Sequence, residues 1–182
     1  MSNAQGPVTP ADDIVARREW RGPTLANGTL TPELAAFCQG GVAVILATSA
    51  AGEPVAGGGF ACRVDETGMV RILLRKTGHG ALLAALRDGA PIAATFTQPP
   101  EHRSIQLKGK SATQTAATVA DGMALAVQSR EFRDRMMMIK YTELMSNGYC
   151  FADPEDIVAI DFVPDEAFVQ TPGPSAGSEL KA

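Results

Sequence analysis

The sequence predicts a mainly β fold: an antiparallel barrel with helices at its rim. Three observations predict it. Short apolar runs recur at close intervals between Val42 and Pro164. Turn signals of hairpin length, AGEP (51–54) and DETG (65–68), join the first three runs. The helical stretches fall between strands without the regular strand–helix alternation of a doubly wound sheet.

The elements follow in order. Residues 1–28 hold Pro7, Pro10, Gly22, Pro23 and Gly28 around one short helical candidate, Asp12–Trp20. This segment reads as an arm laid over a partner subunit or as a loosely ordered tail. In TLTPELAAFCQGG, Thr31 is the N-cap, Pro32 takes the first helical position, and Gly40-Gly41 ends the element. VAVILATS (42–49) is apolar enough to be buried on both faces. VAGGGFACRV (55–64) is a strand weakened by three glycines, and MVRILLR (69–75) is the third strand. GHGALLAALRDG (78–89) is a short helix with Leu82, Leu83 and Leu86 on one face and Gly89 as its stop. PIAATFT (91–97) and RSIQLKGKSATQT (103–115) are the fourth and fifth strands. One long helix is expected over 118–146. DIVAIDFVP (156–164) is the sixth strand, and EAFVQ adds a short piece. The end, TPGPSAGSELKA, is too rich in proline and glycine to predict a packed element.

Composition narrows the function. Of 182 residues, 45% are apolar, enough for one domain with a proper core. A net charge of −4 argues against a nucleic-acid binder that works through a broad basic field. Cys38, Cys62 and Cys150 are widely spaced and odd in number, with no CxxC or Cys/His spacing, so no metal site is expected. Free thiols, no signal peptide in MSNAQGPVTPADD and no apolar run of 18 residues lead to the expectation of a cytoplasmic protein without membrane contact.

Two stretches carry candidate chemistry. In RILLRKTGHG, Arg75, Lys76 and Thr77 end a strand and a helix follows at once, with His79 beside them. Free amides at the helix start and two cations make a candidate anion site; the alternative is a solvated strand end. In the fifth strand, Arg103, Ile105 and Leu107 face one way and Ser104, Gln106 and Lys108 the other. The second face is polar and carries no acid, so it can donate hydrogen bonds to a carbonyl-bearing ring, or simply face solvent. Gly57-Gly58-Gly59 lacks nucleotide-loop spacing and marks a bulge or the close approach of a ligand or another backbone. RMMMIKY (135–141) reads as helix core or dimer packing. His79 and His102 are the only histidines, each more simply a surface or capping residue than a ligand. No Ser-His-Asp or Cys-His set emerges, so no catalytic residue is assigned.

Taken together, VAVILATSAAGEPVAGG, MVRILLRKTGHGALLAALRDGAPIAATFTQP, HRSIQLKGKSATQ and DIVAIDFVPDEAFVQTPGPSAG resemble the FMN-binding split-barrel superfamily, in its pyridoxamine 5′-phosphate oxidase-related branch. The resemblance runs from about Leu30 to Leu180. It implies a six-stranded antiparallel split barrel with flanking helices, homodimeric, holding FMN in clefts between subunits and acting on a small organic molecule. The N-terminal arm would then be residues 1–28, the FMN-binding domain 29–170 and the tail 171–182. The phosphate and ribityl positions fall on Arg75, Lys76, Thr77 and His79, and the ring-flanking positions on Ser104, Gln106 and Lys108. The chain also departs from the vitamin-B6 oxidase. Gly57–Gly59 stand where that enzyme has phosphate-gripping cations, and Gly80, Ala81 and Leu82 stand where it has a Ser-Arg-Lys run. Its C-terminal substrate-binding Arg and His have no counterpart, so pyridoxine phosphate is not the expected substrate. Two other readings remain: a split-barrel binding protein that has lost FMN, and, with less support from two histidines, a haem-binding relative.

Overall fold

The structure is a computed structural model and describes residues 8–181. Its strands are β1 (Ala43–Ala50), β2 (Glu53–Val64), β3 (Val70–Arg75), β4 (Ile92–Gln98), β5 (Arg103–Gly109), β6 (Thr113–Ala116), β7 (Ile157–Phe162) and β8 (Glu166–Val169). They form one antiparallel sheet in the order β6-β7-β3-β2-β1-β4-β5-β8. The helices are α1 (Pro10–Glu19), α2 (Pro32–Cys38), α3 (Gly80–Arg87), α4 (Val119–Met138) and α5 (Glu143–Cys150), with a 3-10 turn over Pro154–Asp156.

The connections show that this sheet must curl. β5 lies near one edge and β6 forms the other, yet three residues, 110–112, join them. Three residues, 163–165, likewise carry the chain from β7 to β8 at the far edge. An extended residue spans at most about 3.5 Å, so both edges come within a short crossing of each other. The result is a half-barrel split along one side. The crossing is tight at Gly109, where a Cβ would lie 2.8 Å from the Phe162 ring and 3.1 Å from the Val163 carbonyl. Alternate residues such as Leu46, Ile72, Phe96, Ile105, Leu107 and Ile160 fill the interior and are fully buried.

Among the described residues, eight strands stand in place of the six expected. The run 103–115 divides at Lys110–Ala112 into β5 and β6, which sit near opposite edges, and EAFVQ is a true edge strand, β8, paired with β5. The long helix expected over 118–146 divides as well. Lys140 adopts φ +72, Thr142 caps a new helix by accepting from the Met145 amide, and α5 folds back on α4. The C-terminal tail packs, against expectation. Leu180 is buried in the core, its amide donates to the Ala167 carbonyl, and Gly177 donates to Val169.

The expected helix of the arm forms as α1, and it is held by its own chain. Arg103 donates to Asp13 at 2.8 Å and to Glu33 at 2.7 Å, with its guanidinium 4.4 Å from the centre of the Phe37 ring. Burial pushes the Asp13 carboxyl above its usual range, and the Arg103 guanidinium pulls it back.

α4 lies on the outer face of the sheet, across β2, and three features fix it there. First, Asp121 is fully buried; it receives bonds from Arg63 and Arg71 and from the Thr118 amide and hydroxyl of a capping box. Second, β2 outruns β1, whose last partner is Gly59. The peptide edge of Cys62 is instead satisfied by the Gln128 side chain, which accepts from its amide at 2.9 Å and donates to its carbonyl at 2.6 Å. Third, a Cβ at Gly41 would lie 2.5 Å from Glu131, so α4 can cross this turn only because the residue is glycine. Arg135 donates to the Gly40 and Gly41 carbonyls beneath the crossing.

A cleft beneath the helical hairpin

The α4–α5 hairpin stands over the outer face of β1, β2 and the end of β3 and encloses a cleft of about 370 Å³, at the small end of ligand sites. Ile45 and the bare backbone of Gly58 form its floor, and Phe60 forms a flat wall. Phe132 of α4 and Tyr149 of α5 roof it, and Arg75 and His79 close one end. The glycine run now has a position-by-position account. Gly57 makes room for the His79 ring, because a Cβ there would lie 2.3 Å from its Cδ2. Gly59 sits against Ile72 and Leu46 inside the barrel, next to a register shift in the β2–β3 pairing. Gly58 has nothing within 4 Å of where a Cβ would be, and it leaves the cleft floor open.

The electrostatics are sparse. Arg75 Nη2 donates to the Phe151 carbonyl at 3.0 Å, its Nε lies 4.0 Å from the Asp156 carboxylate, and its guanidinium stands 5.3 Å from the centre of the Phe60 ring. The guanidinium therefore faces the cleft with part of its charge already answered. His79 Nδ1 lies 3.0 Å from the Arg75 carbonyl oxygen. Cys150 also lines the cleft, but its Sγ sits 3.3 Å from the Ser129 carbonyl and burial pushes the thiol up, so it is a poor nucleophile. Among the described residues, no carboxylate lines the space. Among the described residues no cluster of histidine, cysteine and acids could hold a metal, and no helix is long and apolar enough to cross a membrane.

The candidate residues from the sequence divide into three groups. Arg75 and His79 line the cleft. Lys76 and Thr77 turn away: Lys76 Nζ donates to the Glu155 carbonyl at 2.6 Å, and the Thr77 amide and hydroxyl both donate to Asp156. These two hold the 3-10 turn against the end of β3. Ser104, Gln106 and Lys108 share the polar face of β5, as the alternation predicts. Pairing places Gly58, Ile45, Thr95 and Gln106 in one row across that outer face. Gln106 is thus two strand steps from Ile45 and three from Gly58, about 10 and 14 Å at 4.8 Å per step. There Gln106 donates to Thr95, Ser104 Oγ bonds Thr97, and Lys108 stands 4.2 Å over the Phe168 ring. The tail covers Ser104, whose amide donates to Thr171 Oγ1 and whose carbonyl accepts from Gln170. The sequence reading missed Phe60, Phe132 and Tyr149. The signal for Tyr149 was the break at Lys140–Thr142, which turns α5 back over the sheet.

No family profile matches the chain, and no curated protein matches it. Solved structures do. A candidate pyridoxamine 5′-phosphate oxidase from Lactobacillus delbrueckii is 19% identical, covers 78% of this chain and 94% of its own, and superposes with a TM-score of 0.48. The general stress protein 26 of Bacillus anthracis is 12% identical over 74% of this chain and 88% of its own, with a TM-score of 0.44. Group A Streptococcus HupZ is 13% identical over 82% and 99%, with a TM-score of 0.49. Several of the structural neighbours, the first two among them, are of the pyridoxamine 5′-phosphate oxidase-like and general stress protein 26 kinds. At such identities the chemistry has to be argued from the cleft itself.

Proposed function

We propose that this protein is an FMN-binding flavoprotein of the oxidoreductase type, acting as a homodimer on a small organic substrate in the cytoplasm. The observation that carries the reading is the cleft itself. It has a floor without a side chain at Gly58, flat aromatic walls at Phe60 and Tyr149, and a cation with an imidazole at one end. That combination suits a flat, apolar ring system bearing an anionic tail. Arg75 and His79 would hold the phosphate, and Phe60 and Tyr149 would sandwich the ring and exclude water. Flavin would supply hydride or single-electron transfer, and the chain's part is to bind, orient and keep the site dry. Ser104, Gln106 and Lys108 would bear on the ring only where it extends along the row toward β5.

Support for the dimer comes from what the helical hairpin leaves uncovered. Val119, Met123 and Val127 recur every fourth residue on α4 and are exposed, as are Leu144 and Met145 on α5 and Ile45 at the cleft floor. A second copy seated there would complete the wall that one subunit leaves open. A second reading, a binding protein without flavin, draws on the engagement of Lys76 and Thr77 with residues 155 and 156, which leaves Arg75 as the one fixed cation among the described residues that line the cleft.

Purified protein separates the two. The flavoprotein reading expects absorbance in the two flavin bands, FMN released on heating and a dimer in sedimentation. Protein that is colourless and leaves added FMN fluorescence unquenched overturns it. A Soret band would point to haem instead.

A further inference from the structure

The two ring nitrogens of His79 are not equivalent. Nδ1 faces the Arg75 carbonyl at 3.0 Å. A carbonyl only accepts, so this contact puts a proton on Nδ1 and makes Nε2 the nitrogen that gains or loses one. The Cδ2–Nε2 edge of the ring lies next to Gly57, where a Cβ would come 2.3 Å from Cδ2 and 2.7 Å from Nε2. It lines the cleft beside Arg75, the only fixed cation there among the described residues. Arg75 in turn leans on Asp156 at 4.0 Å and on the Phe151 carbonyl. The other polar groups facing the ring's space are the Tyr149 phenol and the Cys150 thiol of α5, the latter kept neutral by burial, with Ser129 of α4. Among the described residues, no carboxylate lines the cleft. A phosphate monoester brings a charge of about −1.5 to −2 at neutral pH, more than one half-answered guanidinium balances. Imidazole is the side chain whose charge ordinarily changes between pH 5 and 8.

We propose that His79 is the cleft's second cation, gained when ligand binds: a phosphate monoester held beside Arg75 draws one proton from solvent onto Nε2. The inference rests on the flavin-phosphate reading and adds a proton-linked control to it. Affinity for the phosphorylated ligand then falls as the pH rises through the imidazole's titration, by up to about tenfold per pH unit. The ligand cannot produce this fall. Its own second ionisation, near pH 6, adds negative charge with rising pH and acts in the opposite direction.

The test uses the full chain with two probes, FMN and riboflavin, which differ only in the phosphate. Dissociation constants are read from flavin fluorescence between pH 5.5 and 8.5. FMN should weaken with rising pH while riboflavin stays flat. His79→Gln should abolish the fall of FMN affinity with pH and, above the phosphate's second ionisation, bind FMN at the wild type's high-pH affinity, whereas His102→Gln should keep the fall. FMN binding by the wild type, followed calorimetrically in two buffers of different ionisation enthalpy, should show net proton uptake even if the His79 variant folds poorly. Wild-type FMN affinity that is flat or rises with pH, riboflavin that falls in parallel, a fall that survives in His79→Gln, or no proton uptake each overturns the proposal and leaves the flavin site standing. Failure of both flavins to bind at every pH removes the flavin reading and this inference together.

Discussion

Replacing Asp121 with asparagine removes one negative charge from beneath the N-terminal end of α4. The carboxylate has no exposed surface and accepts from Arg63 at 2.9 Å, from Arg71 Nη2 at 2.9 Å and from the Thr118 amide at 2.8 Å. Breaking a buried ion pair from one side costs about 3–5 kcal/mol. Two features place this case at the low end. Arg63 is 41% exposed and can turn to water, and Arg71 keeps Asp161 at 2.7 Å. Asparagine also preserves the shape and one acceptor oxygen for the cap. The expected loss at pH 7 is about 3 kcal/mol, or about 6–12 °C in melting temperature for a chain of this size. The pH dependence has a definite sign. Burial opposes ionisation of Asp121, but the Arg71, Arg63 and Thr118 bonds outweigh it and hold the carboxyl well below the usual carboxylate range. Its stabilisation is therefore complete above the unfolded value of about 3.9 and is lost as pH falls through the depressed folded value. Urea titrations of both proteins at pH 7, 5 and 3 would follow the difference. The gap should hold between pH 7 and 5 and begin to close only at the lowest pH. A gap of under about 1 kcal/mol at pH 7 would refute the claim that this network anchors the helix that roofs the cleft.

Other outcomes follow from the same geometry. Arg103→Ala strands the buried Asp13 carboxylate and releases α1 from β5, so it should cost about 3 kcal/mol and make residues 10–19 the first site of limited proteolysis; unchanged cleavage would mean that the arm is held by other contacts. If FMN binds, Arg75→Ala should weaken it by about 1.5–3 kcal/mol, the range for a lost hydrogen bond to a charged group, while Lys76→Ala should leave its dissociation constant unchanged because Lys76 points to Glu155. Equal losses from both would place the phosphate outside the cleft, toward the 3-10 turn.

Much of the fold was legible because period-two alternation and turn chemistry are local. Thr31, Pro32, AGEP, DETG and the inward Ile105 and Leu107 all read directly. Two breaks were not local. The strand over 103–115 keeps its alternation through Lys110, and only the approach of Phe162 and Val163 to Gly109 shows why the chain must leave one edge of the sheet for the other. The helix break at Lys140 lies in a polar–apolar run that favours continuation, and it is set by α5 folding back, where Tyr141 and Tyr149 meet edge to face with centroids 6.1 Å apart. The site divided in the same way. Arg75 and His79 come from one contiguous stretch and landed together, whereas the directions taken by Lys76 and Thr77 depend on Glu155 and Asp156, about 80 residues along the chain.

The most direct test of the central claim is FMN affinity in Gly58→Val. Apart from Gly58 and its two chain neighbours, no atom of the described residues lies within 4 Å of the Cβ position, and valine suits a strand, so the fold should be unaffected. The side chain would rise from the cleft floor between Phe60 and Tyr149. A wild type that quenches FMN fluorescence and a Gly58→Val protein that is equally stable but no longer does so is the predicted result. Equal FMN binding by the two proteins would show that the cleft beneath the helical hairpin is not where the flavin lies.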